Sequence, residues 1–239
     1  MLEEFQRIGR LLFQERLVDS HGGDMSVRDG DTIYINRRDT MLGDLKEGDV
    51  IKVGIESGSE DEQASRELPT HRALYKKGEI KAILHAHPPN AIAISITDNK
   101  VVPQDAEGLS LFKSASIVRV RDGVGSEETV RLLPSFLGGG NNVVAMVKSH
   151  GSFAVGKDLE EAYKYTSSLE NSCKIIIAVR SSGGRGGSGG GGGGRGPGPG
   201  GGRVQGPGLG GRGHREKTGY KSAIPPGIGV MDRSRYRKR

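Results

Sequence analysis

A glycine-rich stretch near the C-terminus limits how much of this chain can fold. Of the 31 residues from 183 to 213, 20 are glycine, and arginine, proline and serine make up most of the others. Such a segment cannot bury enough apolar surface to offset the entropy that is lost on ordering it. The sequence therefore predicts two parts, a folded domain over residues 1–180 and a disordered, basic Gly/Arg-rich tail over residues 181–239.

Charge also separates the two parts. Residues 1–180 contain 23 Lys and Arg against 27 Asp and Glu, a net charge of −4, and residues 181–239 contain 12 against 2, a net charge of +10. Arginines spaced among glycines favour weak binding of RNA or another acidic partner. Aromatic residues are scarce in the tail, which is typical of a disordered appendage without a partner. Both interpretations stay open.

Composition restricts the compartment and the class of protein. The single cysteine, Cys173, rules out an intrachain disulfide and a cysteine-based zinc module. This cysteine usage favours the reducing interior of a cell as the compartment of the protein. The N-terminus lacks the basic region and apolar core of a secretory signal. No run approaches the roughly 18 consecutive apolar residues of a membrane helix. We therefore expect a soluble, cytoplasmic protein without a membrane partner.

Helical and strand-like patterns alternate along residues 1–180. Helical spacing of apolar residues predicts helices over 4–18, 67–77, 90–96, 127–133 and 159–179. Short apolar runs between turn signals predict strands over 25–27, 32–35, 49–55, 80–84, 117–120 and 143–147, the last continuing through 152–155. Such alternation is typical of a layered α/β domain.

Three of the six histidines fall at the ends of predicted strands. His85 and His87 follow the apolar run 80–84, and His150 follows the run 143–147. Side chains two positions apart on a strand point to the same face, so His85 and His87 can reach one ion. Three imidazoles with an open fourth position are typical of a catalytic zinc site. We expect His71, on the helix that begins near Glu67, to be packed and hydrogen-bonded.

Four motifs in order carry a resemblance to a known family. They are Gly22–Arg28, the pattern Glu67-x3-His71-x3-Tyr75, Ala82–Pro88, and Lys148–Gly151 followed by Leu159–Ala162. Their order and spacing over about residues 4–180 resemble the class II aldolase/adducin family. The resemblance implies a three-layer α/β/α domain with a central, largely antiparallel or mixed sheet. It also implies a homo-oligomer, commonly a tetramer with sites at subunit boundaries.

The resemblance assigns roles to the histidines and to one glutamate. It implies zinc held by His85, His87 and His150, with Glu67 completing the site and acting as acid/base. Zinc would bind a carbonyl oxygen and an adjacent hydroxyl of the substrate. The carboxylate would take the proton from the carbon that bears this hydroxyl, which leaves a metal-stabilised enediolate. The implied activity is that of an aldehyde-lyase, the reversible aldol cleavage of a small sugar, phosphorylated or free. Neutral imidazoles with a carboxylate also suit cobalt, manganese or iron(II).

The substrate pocket departs from the family pattern. Where phosphate-using members have Gly-Gly-Asn, Thr-Gly and Ser-Ser-Glu, this chain has Gly22-Gly23-Asp24, Arg38-Asp39 and Ser65-Arg66-Glu67. The candidate substrate-binding residues are therefore Gly23, Asp24, Arg38, Asp39, Ser65 and Arg66. The Asp24 carboxylate would repel phosphate, whereas Arg38 and Arg66 would attract a phosphate or carboxylate.

Two alternatives to aldol cleavage remain. One is another metal-enediolate reaction on a small hydroxy-carbonyl compound, namely dehydration, decarboxylation or epimerisation. The other is a non-catalytic, adducin-like scaffold with a nucleic-acid-binding tail. On the last predicted helix, we interpret Glu170 as part of a solvated face, with an intersubunit ion pair as the alternative, and Cys173 as a buried thiol.

Overall fold

The computed structural model describes residues 1–122, 124–140 and 142–183. The strands are β1 (Asp24–Asp29), β2 (Thr32–Asn36), β3 (Val50–Gly54), β4 (Ala82–Ala86), β5 (Lys100–Val101), β6 (Ala115–Val118), β7 (Val144–Val147) and β8 (Gly151–Gly156). The α-helices are α1 (Leu2–Gln14), α2 (Leu68–Tyr75), α3 (Pro89–Thr97), α4 (Ala106–Leu111), α5 (Glu127–Leu132) and α6 (Leu159–Gly183). Short 3-10 helices cover Leu42–Asp44, Ser59–Gln63 and Leu133–Ser135.

The eight strands form one mixed sheet in the order β3-β2-β1-β4-β8-β7-β6-β5. All of its neighbouring pairs are antiparallel except β6 and β7, which are parallel. Helices cover both faces, so the predicted three-layer α/β class is confirmed. The central strands β4 and β8 are buried on both sides, which explains why they lack polar alternation.

Strand β4 separates two apolar cores. Ala82, Leu84 and Ala86 point to the core that contains side chains of α1, α3 and α6. Ile83 points to the other core, which contains Phe153 and side chains of α2. Because side chains alternate along a strand, His85 lies on the Ile83 face, and its ring stacks on Phe153 with centroids 4.2 Å apart. The sheet therefore presents His85 beneath α2.

The prediction that residues 152–155 continue the strand at 143–147 is wrong. Val144 pairs with Ala154 in antiparallel register, so the chain reverses between β7 and β8. Ser149 occupies the left-handed region of this turn, with a φ of 60°. The reversal brings His150 to the end of the sheet at which β4 ends. Two further elements, β5 and α4, were not predicted.

Glu170 on α6 is buried, which contradicts the predicted solvated face. Its side chain is 2 % exposed and accepts hydrogen bonds from the backbone N–H groups of Asn90 and Ala91, at 3.0 and 3.1 Å. The Asn90 side-chain amide donates a further bond of 2.6 Å. These N–H groups lie in the first turn of α3 and have no partner within that helix. Glu170 therefore fixes the position of α3, the helix that follows His87 in the chain.

Replacing Glu170 with alanine is expected to lower the free energy of unfolding by about 2–4 kcal/mol, because buried N–H groups lose their acceptor. Urea unfolding of the full chain measures this value. Glu170→Gln keeps one acceptor oxygen and should cost less. The control is Glu160→Ala, on the exposed face of the same helix. Equal costs for Glu170→Ala and Glu160→Ala would contradict the capping role.

The predicted tail lies almost wholly outside the described residues. Its first three residues, 181–183, extend α6 past the predicted boundary at 180. The division into a domain and a tail stays a prediction. None of the helices within the described residues has the length and apolar character needed to span a membrane.

Candidate metal centre

Three imidazoles converge at one end of the sheet. His85 belongs to β4, His87 follows the end of β4, and His150 lies in the turn between β7 and β8. Because β4 pairs with β8, this turn lies beside the end of β4. The Nε2 atoms of His85 and His87 are 3.1 Å apart, and one ring nitrogen from each histidine lies within 4.8 Å of the others. The predicted histidine cluster is thus present.

Hydrogen bonding fixes the tautomer of His85. Its Nδ1 lies 2.9 Å from the carbonyl oxygen of Ser152. Because a carbonyl only accepts, Nδ1 carries the proton and Nε2 keeps its lone pair directed at the other imidazoles. Burial lowers the pKa of both His85 and His87, so both rings are neutral at pH 7. Neutral nitrogen donors that face one another fit a divalent metal ion such as zinc.

Two glycines allow the imidazoles to approach the backbone. A Cβ on Gly151 would lie 2.4 Å from the carbonyl oxygen of Ala86 and within 3.0 Å of the rings of His85 and His87. A Cβ on Gly22 would lie 2.6 Å from Nδ1 of His87. Both glycines belong to the motifs in the sequence. The close contacts explain why these two positions need a residue without a Cβ.

Glu67 lies beside the three imidazoles, immediately before α2. Its Oε1 accepts a 2.7 Å hydrogen bond from the Gly125 N–H and lies 3.9 Å from His150 Nε2. Its Oε2 accepts a 2.9 Å bond from the Thr70 hydroxyl. Burial and the nearby charge of Asp24 raise the pKa of Glu67 to about 7. A carboxyl with this pKa can both take and return a proton near neutral pH.

Gly125 and Thr70 are site residues that the sequence did not reveal. Gly125 acts through its backbone N–H, in a loop that carries no motif, and its φ of +56° favours glycine. Thr70 lies one turn after Glu67 on α2. Its spacing of three residues from Glu67 is the one signal that could have indicated a contact.

Asp24 begins a buried chain of polar side chains. Its Oδ1 lies 2.8 Å from Nε2 of His71, and its Oδ2 accepts a 2.8 Å bond from the Ser65 hydroxyl. His71 Nδ1 and the Tyr75 hydroxyl each lie 2.7 Å from Ser26 Oγ. Burial alone would raise the pKa of Asp24, but His71 and Ser65 outweigh it and lower the pKa to about 2. Asp24 is therefore ionised, and His71 is packed and hydrogen-bonded as predicted.

One cavity of about 200 Å³ brings the candidate site residues together. All ten predicted residues line it, namely Gly23, Asp24, Arg38, Asp39, Ser65, Arg66, Glu67, His85, His87 and His150. Arg38 and Arg66 are exposed, whereas Asp24 and Glu67 are buried. The backbone N–H of Arg38 donates to the carbonyl of Gln63 at 2.9 Å, which joins the loop after β2 to the segment before Glu67.

Exchanging Glu67 for glutamine is expected to stabilise the metal-free chain at alkaline pH. The pKa of Glu67 in the folded chain, about 7, lies above its ordinary value of 4.5. Folding therefore favours the protonated form, and wild type loses stability as the pH rises from 4.5 through 7. This pKa difference corresponds to a loss on the order of 3 kcal/mol in the free energy of unfolding.

Urea unfolding of the chelator-treated full chain and of Glu67→Gln, at about pH 5 and about pH 8, measures this effect. Glutamine does not titrate, so the gain in the free energy of unfolding should be larger at the higher pH. Equal gains at both pH values would contradict the raised pKa of Glu67.

Comparison with known proteins identifies the family. The family model described as "Class II Aldolase and Adducin N-terminal domain" matches residues 3–177. The chain belongs to the class II aldolase and adducin family. The match includes the three imidazoles and Glu67.

Relatives in this family include named aldolases and adducins. The chain is 28 % identical over 180 residues to an L-fuculose phosphate aldolase of Methanocaldococcus jannaschii, covering 73 % of this chain and 94 % of that protein. It is 30 % identical over 115 residues to rat alpha-adducin, covering 48 % of this chain and 15 % of that protein. The crystal structure of L-fuculose-1-phosphate aldolase from Thermus thermophilus matches with a TM-score of 0.74 and 28 % identity, covering 78 % of this chain and 97 % of that one.

Proposed function

We propose that this protein is a zinc-dependent aldehyde-lyase of the class II aldolase type. The substrate would be a small sugar or other hydroxy-carbonyl compound, phosphorylated or free, and the reaction a reversible aldol cleavage. The observation that carries the proposal is Glu67, a buried carboxyl with a pKa of about 7 that lies 3.9 Å from His150 in the cavity of the three imidazoles. The similarity to L-fuculose phosphate aldolases supports it.

His85, His87 and His150 would hold the metal, with Glu67 as an additional ligand before substrate binds. Bound zinc would supply a Lewis acid that polarises the substrate carbonyl. Another divalent ion, such as cobalt, manganese or iron(II), would serve the same donor set. The Nδ1–H of His85 stays on the Ser152 carbonyl and keeps Nε2 aimed into the cavity.

Glu67 would move the proton in both directions of the reaction. In the condensation direction its carboxylate would take a proton from the carbon beside the carbonyl of one substrate, a C–C bond would form to the aldehyde carbon, and the aldehyde oxygen would gain a proton from a second donor. In cleavage the hydroxyl would return its proton to that donor, the C–C bond would break, and Glu67 would protonate the carbon beside the carbonyl. The Gly125 N–H and the Thr70 hydroxyl hold the two carboxylate oxygens in place. Burial excludes bulk water from the carboxylate, and the charge of Asp24 keeps its proton affinity high.

The residues around Glu67 would orient the substrate. Arg38 and Arg66 carry the positive charges that attract an anionic group. Ser65 and Asp24 offer hydrogen-bond partners for hydroxyl groups, and Gly23 and Asp39 complete the wall. The ionised Asp24 disfavours phosphate next to itself. We also propose a cytoplasmic homotetramer, in which a tyrosine from a neighbouring subunit is a candidate proton donor.

The test is turnover of a panel of free and phosphorylated ketoses and sugar acids by the zinc-loaded full chain. Release of an aldehyde fragment, followed by NMR, is expected for at least one ketose. Turnover should cease with a chelator and return when zinc is restored. Loss of water, loss of carbon dioxide or a stereochemical change without cleavage would instead identify a dehydratase, decarboxylase or epimerase.

The similarity to alpha-adducin supports a second candidate, a non-catalytic scaffold with a basic interaction tail. Metal-loaded protein that turns over no compound of the panel would favour this candidate. For the tail, we propose weak binding of RNA or another acidic partner. Removing residues 181–239 should abolish RNA binding and leave the metal content unchanged, and RNA affinity that survives the truncation would contradict this role.

A further inference from the structure

The cavity of the three imidazoles has a volume of about 200 Å³, below the roughly 300–1,000 Å³ of pockets that bury a drug-sized ligand. A substrate whose reacting carbons lie beside Glu67 and His150, and which is larger than a small sugar, would therefore extend beyond this cavity. Two neighbouring grooves share Val124 with it and offer the space.

Charge distinguishes the two grooves. The first carries both signs, since two arginines and three carboxylates line it, namely Arg121, Arg131, Asp122, Glu127 and Glu128. The second has a volume of about 560 Å³ and also shares His150 with the metal cavity. Its lining includes three cations and no carboxylate, namely Arg119, Arg121 and Lys148. Only the second groove thus has the character of an anion-binding site.

In the part of the chain that the structure describes, two of these cations have charges that no carboxylate balances. Arg119 donates to the side-chain oxygen of Asn99, a neutral amide that holds the guanidinium without cancelling its charge. Lys148 is half-buried directly after β7, and its backbone N–H donates to the Val118 carbonyl at 2.9 Å. Among the residues that the structure describes, no carboxylate forms an ion pair with either side chain. Arg121, in contrast, lies 3.8 Å from Glu128.

We infer that the Arg119/Lys148 groove is a second anion-binding subsite, and that the substrate carries a carboxylate or phosphate on the end remote from its reacting carbons. This inference rests on the proposed function. The groove meets the metal cavity at His150, so a bound substrate can place its reacting carbons in the cavity and its anionic end on Arg119 and Lys148. The buried carboxylate of Asp24 favours this placement, because it makes its own part of the cavity unfavourable to an anion.

Three α-hydroxy acids test the subsite. They share a metal-binding head, namely the carboxylate and the adjacent hydroxyl that would bind the zinc. Glycerate has no second anion, malate has a distal carboxylate, and glycerate phosphorylated on its terminal carbon has a distal phosphate. Titration calorimetry at low ionic strength measures their dissociation constants for the zinc-loaded full chain. Malate or the phosphorylated compound should bind about tenfold more tightly than glycerate, and salt should reduce this advantage. The tighter of the two identifies the preferred anion.

Substitutions locate the subsite. Arg119→Gln/Lys148→Gln should remove most of the advantage and leave glycerate affinity unchanged, with each single variant removing part of it. The matched control, Arg10→Gln/Lys81→Gln, removes an exposed arginine and an exposed lysine that line neither the cavity nor the two grooves, and should keep the advantage. An advantage that survives in Arg119→Gln/Lys148→Gln and disappears in Arg38→Gln/Arg66→Gln would overturn the inference.

Failure of the subsite and failure of the proposed function give different results. Equal affinity for glycerate, malate and phosphorylated glycerate would overturn the second anion site and leave the metal site in place. Zinc-loaded protein that does not bind glycerate at all would overturn both, because the shared metal-binding head would then have no site.

Discussion

Replacing Glu67 with glutamine is expected to reduce kcat by about 10³-fold, because glutamine cannot take or return a proton. The side chain keeps its size and one acceptor oxygen, so the cavity should keep its shape. The three imidazoles are unchanged, and the zinc content should stay near that of wild type. Aldehyde release by the zinc-loaded variant, measured with the best compound of the panel, gives the value.

Thr70→Val is the matched control for this variant. It removes one hydrogen bond to the Glu67 carboxylate and leaves the carboxyl group in place. We expect it to reduce kcat by less than about tenfold, because positioning is weakened and the acid/base group remains. If Glu67→Gln retains zinc and also most of the wild-type kcat, Glu67 is not the acid/base.

Replacing Gly151 with alanine is expected to lower the free energy of unfolding by about 3 kcal/mol and to weaken metal binding. The new Cβ would lie 2.4 Å from the Ala86 carbonyl oxygen, and backbone atoms cannot move aside as a flexible side chain can. It would also lie 2.9 Å from a ring atom of His85 and 2.8 Å from a ring atom of His87. Urea unfolding and a zinc titration of the full chain measure the two effects.

The control for Gly151 is Gly139→Ala, where the added Cβ has no atom within 4 Å among the described residues. This exposed glycine should tolerate the change within about 0.5 kcal/mol. A Gly151→Ala protein as stable as Gly139→Ala, with wild-type zinc affinity, would show that the close approach of β8 to the imidazoles is not required.

The sequence predicted the imidazole pair and the fold class well, because both depend on local patterns. His85 and His87 have the spacing of one strand face, and the alternation of helices and strands indicated an α/β domain. His150 was also predicted as a ligand, but its position beside the pair depends on a long-range contact, namely the pairing of β4 with β8. Apolar residues alone do not show where a strand reverses, so the turn at Ser149 was interpreted as continuous strand.

The electrostatic features of the site depend on burial, which the sequence does not show. The pKa of Glu67 rises because the residue is 3 % exposed and lies near Asp24. Asp24 was predicted as a substrate contact, and its 2.8 Å contact with His71 joins residues on β1 and α2. Glu170 was misinterpreted for the same reason, because its acceptor role depends on the packing of α3 against α6.

The metal content of the purified full chain tests the central claim most directly. Elemental analysis of wild type beside His85→Ala/His87→Ala, both reconstituted with zinc and freed of excess, compares the intact donor set with one that keeps only His150 and Glu67. We predict about one zinc per chain in wild type and none in the variant, since one imidazole and one carboxylate are too few donors to hold the ion. Wild-type protein that takes up no zinc, or a variant that binds as much as wild type, would contradict the metal centre.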